Sequence, residues 1–191
     1  MFRFVRAEKM HEIQREILLK LLDDPRYQFY FGADWEELPK ENESPGWAED
    51  AVLIQVPSAN GPTAPPRTAG FLTWGIQHHR RSVDHVGVLL TPTYLNRGLG
   101  ARVLATWLQY ALVTRGFRKV EFTCHADNAP AMRLYEKIEG VGGRKVGVQR
   151  EHSLLRDGQY HDRVLFEILG SEFKPTPTLE RLVVADVWGL A

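Results

Sequence analysis

Apolar and polar positions alternate, recur at helical spacing and pause at breakers in an order that predicts a mixed α/β chain. Phe2 and Phe4 alternate with Arg3, and Arg6 follows, which predicts a short first strand over 2–5. Met10, Ile13, Ile17, Leu18, Leu21 and Leu22 then recur at helical spacing up to Asp23-Asp24-Pro25, which predicts a helix and its stop. Residues 26–50 are aromatic and acidic and predict a short helix plus irregular loop. Compact apolar runs predict strands over 51–56, 68–77 and 82–90. A breaker-rich loop from Pro57 to Pro66 separates the first two, and the basic turn His78-His79-Arg80-Arg81 joins the last two. Short links between successive strands favour an antiparallel meander.

Beyond Leu90 a Pro-containing turn leads into a helix carrying Val103, Leu104, Trp107, Leu108, Ala111 and Leu112 on one stripe, ending near Arg115-Gly116. A strand over 119–124 follows, then a helix opened by Asp127-Asn128-Ala129-Pro130, with an Asp or Asn cap and Pro in its first turn. Residues 142–169 read as two strands about a turn near Arg156-Asp157-Gly158. The predicted order, β-α-α-β-β-β-α-β-α-β-β, implies a mixed sheet with helices packed on it.

Composition narrows this picture. A chain of 191 residues with 43% hydrophobic and 25% charged positions fits one globular domain, expected over 1–191. Zero formal net charge supplies no global field for nucleic acid or an anionic membrane, so neither is expected as a partner. Cys124, the single cysteine, excludes an intramolecular disulfide and fits a reducing, cytoplasmic location. The N-terminal residues turn charged at Glu8-Lys9 before any long apolar run, unlike a signal peptide or membrane span. The seven histidines show no metal-ligand spacing, and no metal is expected.

The chemistry concentrates at Arg97-Gly98-Leu99-Gly100-Ala101, where a strand passes into a helix. Unpartnered amides and the helix dipole suit such a turn to a pyrophosphate, and glycine lets the phosphate approach. A dinucleotide fingerprint requires glycine at the position of Val103, and a P-loop requires Lys-Ser/Thr after Gly100, where Ala101-Arg102 stand. Neither pattern fits. The stretch from Leu90 to Leu104 instead resembles the acetyl-CoA signature of the GNAT superfamily, a Gln/Arg-x-x-Gly-x-Gly/Ala turn ahead of a helix. Asn128-Ala129-Pro130-Ala131-Met132-Arg133-Leu134-Tyr135-Glu136-Lys137 is similar to that family's second signature, Asn-x-x-Ala-x-x-x-Tyr-Glu-Lys. The tail, with Gly147-Val148-Gln149-Arg150-Glu151 and Asp157-Gly158-Gln159-Tyr160-His161-Asp162, is similar to the ending of the RimJ/RimL-like branch.

The resemblance implies a GNAT fold of about seven strands and about four helices. Residues 1–50 would hold the first strand and the acceptor-side helices, 82–140 the acetyl-CoA core, and 171–191 a tail. It implies an acetyl-CoA-dependent N-acetyltransferase acting on a primary amine, either a protein N-terminus or a small cationic amine. Cofactor contacts are implied at Val88, Leu89, Leu90, Leu95, Asn96, Arg97, Gly98, Leu99, Gly100, Ala101, Arg102, Asn128 and Tyr135. Tyr135 stands at the general-acid position, to protonate the departing sulfur.

The sequence departs from the family at three places. Leu95 occupies the Gln/Arg position, Glu139-Gly140-Val141-Gly142-Gly143 replaces the usual Gly-Phe, and Thr123 stands where some relatives carry a catalytic Glu. Period-2 counting puts Glu121 and His125 on the face of Thr123, and Glu121 is the first choice of base. Asp84 and His85 are further candidates, and Cys124 reads as an inert core thiol.

Carboxylates among aromatics in 23–50, including Asp34, Trp35, Glu36 and Glu37, suit a cationic amine or equally form a solvated loop. The departures also keep open a catalytically weak acyl-CoA-binding sensor. Leu179, Leu182, Val183, Val184, Val187, Trp188 and Leu190 in the tail suit docking onto the domain itself or a homodimer.

Overall fold

Seven strands join into one sheet in the order β1-β2-β3-β4-β5-β7-β6, with every adjacent pair antiparallel except the central β4–β5. The computed structural model describes residues 2–6, 10–21, 24–30, 50–61 and 63–175. The strands are β1 (Arg3–Val5), β2 (Asp50–Val56), β3 (Arg67–Gln77), β4 (Ser82–Leu90), β5 (Lys119–His125), β6 (Gly143–Leu154) and β7 (Tyr160–Leu169). Three α-helices complete the described residues: α1 (Met10–Leu21), α2 (Leu99–Gln109) and α3 (Ala129–Glu136). The mixed sheet with helices packed on it agrees with the expected α/β class. After α1 the described residues hold a 3-10 turn, Pro25–Tyr30, and the rest of the segment over which a short helix and loop are expected, through residue 49, lies outside the described residues. The docking residues of the tail, from 176 onward, lie outside them too.

Strand alternation sorts the core onto two faces. Val52, Ile54, Leu72, Trp74, Val120, Phe122 and Phe166 meet Val103, Leu104, Trp107 and Leu108 of α2 and Tyr135 of α3. Their neighbours Leu53, Phe71 and Leu89 point the other way, onto Leu18 and Leu21 of α1 and Tyr27 of the 3-10 turn. Helices α2 and α3 therefore cover one face of the sheet and α1 the other. The stripe continues past α2 into a π turn, Tyr110–Thr114, that buries Ala111 and Leu112 before Gly116 turns the chain at φ +65°. The unusual glycines after α3 have a local use. Gly142 sits at φ +99°, and a Cβ there would lie 2.0 Å from the Glu172 carbonyl oxygen, so the returning chain passes where a side chain would be.

Two irregularities shape the site. Between Thr73 and Gly75 the β3–β4 register slips, and His85 takes φ +50° at the resulting bulge. The β4–β5 ladder is shorter still: it pairs Ser82 with Lys119 and Val83 with Val120, then ends. Beyond it, β4 stays with β3 and β5 with β7, so the two strands part and leave a gap in the middle of the sheet.

Candidate functional site

The gap opens into a cavity of about 480 Å³. Val86, Val88 and Leu90 line it from β4, Thr123, Cys124 and His125 from β5, and Leu134 and Tyr135 from α3. Tyr27 and Arg163 line it from the α1 face. Since both faces contribute, the cavity runs through the sheet, with α2 and α3 at one mouth and the 3-10 turn at the other.

At the α2 mouth the chain makes a turn of left-handed residues, Asn96 at φ +56° and Gly98 at φ +74°, with Gly98 capping the helix. The first helical bond onto the turn runs from the Arg102 N–H to the Gly98 carbonyl at 3.3 Å. The amides of Leu99, Gly100 and Ala101 precede it, and among the described residues none reaches a backbone acceptor. Those three residues line the cavity together with Asn96 and Gly98, so its wall there is a cradle of N–H donors at a helix N-terminus. A Cβ at Gly100 would touch Leu90 and Leu134 at 3.7 and 3.8 Å, the ordinary packing distance, so small residues close this end.

At the apex of the gap stands Tyr135, 4% exposed, its ring 5.1 Å from Phe122 and 5.8 Å from Phe166. Its hydroxyl donates to the Val86 carbonyl across the gap at 3.0 Å. A second tyrosine answers it from the opposite face: the Tyr27 hydroxyl donates to the Leu90 carbonyl at 2.7 Å, and burial pushes its pKa up to about 12. Both carbonyls point away from β3. By strand alternation, the peptide groups of Val88 between them are directed to the same side.

Other expected residues fall around this centre. Asn128 lines the cavity and caps α3, its Oδ1 accepting from the Ala131 N–H at 3.2 Å. Leu95 lines it while packing against both core clusters. Four expected residues do not line the cavity. The Leu89 side chain is buried on the α1 face, Arg97 is exposed, and Arg102 lies over the Phe2 ring at 5.7 Å. Glu121, placed first as base, pairs with Lys119 at 2.8 Å, and Lys119 also reaches Glu167 at 3.1 Å. Residue 121 lies next to the closed end of the β4–β5 ladder, before the gap has opened. Asp84 and His85 pair with one another at 2.9 Å at the bulge and do not line the cavity either.

His125, two residue pairs further along β5 on the face of Glu121, does line it. Burial lowers its pKa from the usual 6.5, and Arg163, His161 and His152 lower it further, so its ring is neutral near pH 7. The Cys124 thiol is pushed up to about 11 by burial and lies 3.5 Å from the Met132 sulfur, in keeping with an inert core role. Sequence reasoning passed over Tyr27, Arg133, Lys137 and Arg163. Tyr27 stood among many aromatics, and strand periodicity does not mark which polar residue of β7 meets a cavity.

Among the described residues no cluster has the make-up of a metal site and no helix is long and apolar enough to cross a membrane. A family model described as the acetyltransferase (GNAT) family matches residues 10–140. A mycothiol acetyltransferase of Clavibacter michiganensis subsp. michiganensis (strain NCPPB 382) is 35% identical over 91 residues, 48% of this chain and 27% of that protein. Another mycothiol acetyltransferase, of Corynebacterium aurimucosum, is 33% identical over 109 residues, 56% of this chain and 36% of that protein. The chain thus spans about a third or less of the length of these curated relatives. Among solved structures, spermidine N-acetyltransferase from Vibrio cholerae in complex with CoA and spermine has a TM-score of 0.62 at 16% identity, covering 90% of this chain and 96% of that one. A SpeG chimera from Vibrio cholerae and hSSAT has a TM-score of 0.61 at 18% identity, covering 90% and 97%. Likeness at such identity is a likeness of fold.

Proposed function

Since the chain belongs to the GNAT family of acetyltransferases, we propose that it transfers an acetyl group from acetyl-CoA to a primary amine. The observation that carries this reading is the amide cradle at the head of α2 opening directly onto the gap that Tyr135 spans. The cradle fits a pyrophosphate, the gap fits an extended thioester arm lying along β4, and the far mouth admits an amine. Acetyl-CoA would supply an activated acyl carbon and a thiolate leaving group. The amides of Leu99, Gly100 and Ala101 hold the phosphates, with Arg133 and Lys137 at the same mouth as their counter-charges. The Val88 N–H is aimed to donate to the acyl oxygen as negative charge develops there.

Two protons must move. The attacking nitrogen sheds one, and the neutral His125 ring on the acceptor side is the group positioned to receive it. The departing sulfur requires one, which Tyr135 gives by turning its hydroxyl from the Val86 carbonyl toward the gap. The finer reading, a RimJ/RimL-like enzyme acting on a protein N-terminus, rests on the motifs over 147–151 and 157–162. Leu95, aliphatic where the family signature is polar, favours a second reading as an acyl-CoA-binding sensor.

The test is thiol release from acetyl-CoA with a panel of primary amines, using wild type and Tyr135→Phe. Amine-dependent release that falls about 100-fold in kcat in the variant, with the acetyl-CoA KM little changed, is the expected result. Equal turnover by both proteins would remove Tyr135 from the mechanism. Tight acetyl-CoA binding without release for any amine would favour the sensor.

A further inference from the structure

Among the described residues, the lining of the cavity is basic. Among the described residues lining the cavity there is no Asp or Glu, against Arg26, Arg133, Lys137 and Arg163. Arg133 of α3 and Lys137, the residue that follows its end, stand at the cradle end, where donor phosphates require them. Arg26 is already satisfied: its Nε donates to Asp24 at 2.9 Å. Arg163 is different on both counts. It lies on β7 directly opposite His125 in the register, on the α1 face and away from the cradle. Among the described residues it has no carboxylate within ion-pair distance, and burial alone lowers its pKa. A partly desolvated guanidinium with no counter-ion among the described residues, beside a neutral imidazole, offers an anion site next to a proton acceptor.

Resting on the transferase reading above, we infer that the acceptor is an amine that also carries a carboxylate or comparable acid group, bound by Arg163 with its nitrogen at His125. The planar fork of Arg163 suits a bidentate carboxylate, and the pair His125–Arg163 fixes how far the acid stands from the reacting nitrogen. A polyamine has no group for Arg163 and would bring further positive charge beside it.

The experiment compares amine pairs that differ only in the acid, γ-aminobutyrate against n-butylamine and Gly-Gly against its C-terminal amide, with spermidine as the cationic probe. Wild type, Arg163→Gln and Arg163→Lys are each assayed for thiol release and titrated with acetyl-CoA. The expected result is a kcat/KM at least about tenfold higher for the acid member of a pair. In Arg163→Gln that preference disappears through KM, in Arg163→Lys it survives in part, and acetyl-CoA affinity stays within about twofold in both. Preference for spermidine or n-butylamine, or silence of both acids while acetyl-CoA binds, overturns the inference and leaves the transferase reading standing. So does a tenfold loss of acetyl-CoA affinity in Arg163→Gln, which would make Arg163 a ligand of the donor. Absence of acetyl-CoA binding in wild type would instead remove the transferase reading itself, and this inference with it.

Discussion

At the scale of single residues, the site is decided by where the β4–β5 ladder stops. Counting by twos along β5 puts Glu121, Thr123 and His125 on one face, and the structure agrees. What periodicity does not carry is the distance along the strand at which the neighbour departs. With pairing ended at Val83–Val120, residue 121 still lies beside the closed ladder and residues 123 and 125 face the opening. Glu121 is accordingly tied to Lys119 and His125 is left to the cavity. His125→Gln is predicted to lower kcat/KM by about 100-fold or more near pH 7. In wild type, activity should fall as the pH drops below the usual histidine value of 6.5, because protonation of His125 removes the acceptor for the amine's proton. A pH–rate profile of both proteins checks this: the variant loses the acidic limb if His125 is responsible. An identical acidic limb in the variant assigns the proton to another group. The groups facing that ring are Arg163 and His161 of β7, His152 of β6 and Asp127 ahead of α3, of which only the last raises its pKa.

At the scale of elements, the turn before α2 combines a backbone requirement with a steric one. Gly98 holds φ +74° with open space around its missing Cβ, so the demand there is conformational. Gly98→Val is predicted to cost roughly 1–2 kcal/mol in that conformation, and to weaken acetyl-CoA binding by reorienting the amides of Leu99 and Gly100. Gly100→Ala meets only ordinary contacts, at 3.7 Å and beyond, and should bind nearly as wild type. Titration of both variants separates conformation from space, and equal losses would contradict the distinction. This turn was the most legible part of the site, because its residue types, their spacing and their place between strand and helix all sit within one short segment. Tyr27 was the least legible. Its bond to Leu90 joins residues 63 positions apart, and only the packing of the 3-10 turn against the α1 face brings them together.

At the scale of the whole molecule, the order of elements along the chain and the antiparallel run of β2, β3 and β4 were legible from local patterns, since short links join these consecutive strands. Two steps depart from antiparallel pairing of consecutive strands: the parallel pairing of β4 with β5, and the insertion of β7 between β5 and β6, the one adjacency among the described residues that joins strands not consecutive in sequence. The second is held by ionised links. Glu167 of β7 meets Arg144 of β6 at 2.6 Å and Lys119 of β5 at 3.1 Å. His161 of β7 bonds to Asp127 at 2.6 Å and Asp157 at 2.9 Å, tying the loop before α3 to the β6–β7 turn. Asp127 first, then Asp157, raises the pKa of His161 above 6.5. The folded state therefore holds this proton more tightly than the unfolded chain. That stabilisation is full below about pH 6.5 and is lost as the pH rises through the raised value. The difference in Tm between wild type and His161→Gln should be largest in mildly acidic buffer and should shrink on the alkaline side. A difference independent of pH would mean that packing alone holds the link.

Every later step depends on the cradle at the head of α2 and the gap beside it receiving acetyl-CoA. Calorimetric titration of the protein with acetyl-CoA, CoA and NAD tests that most directly. Micromolar binding of acetyl-CoA and CoA with no heat from NAD is the predicted result, and Gly98→Val should weaken both. Failure of acetyl-CoA to bind would contradict the account, since Leu95 would then have closed the site to the donor from which every later step proceeds.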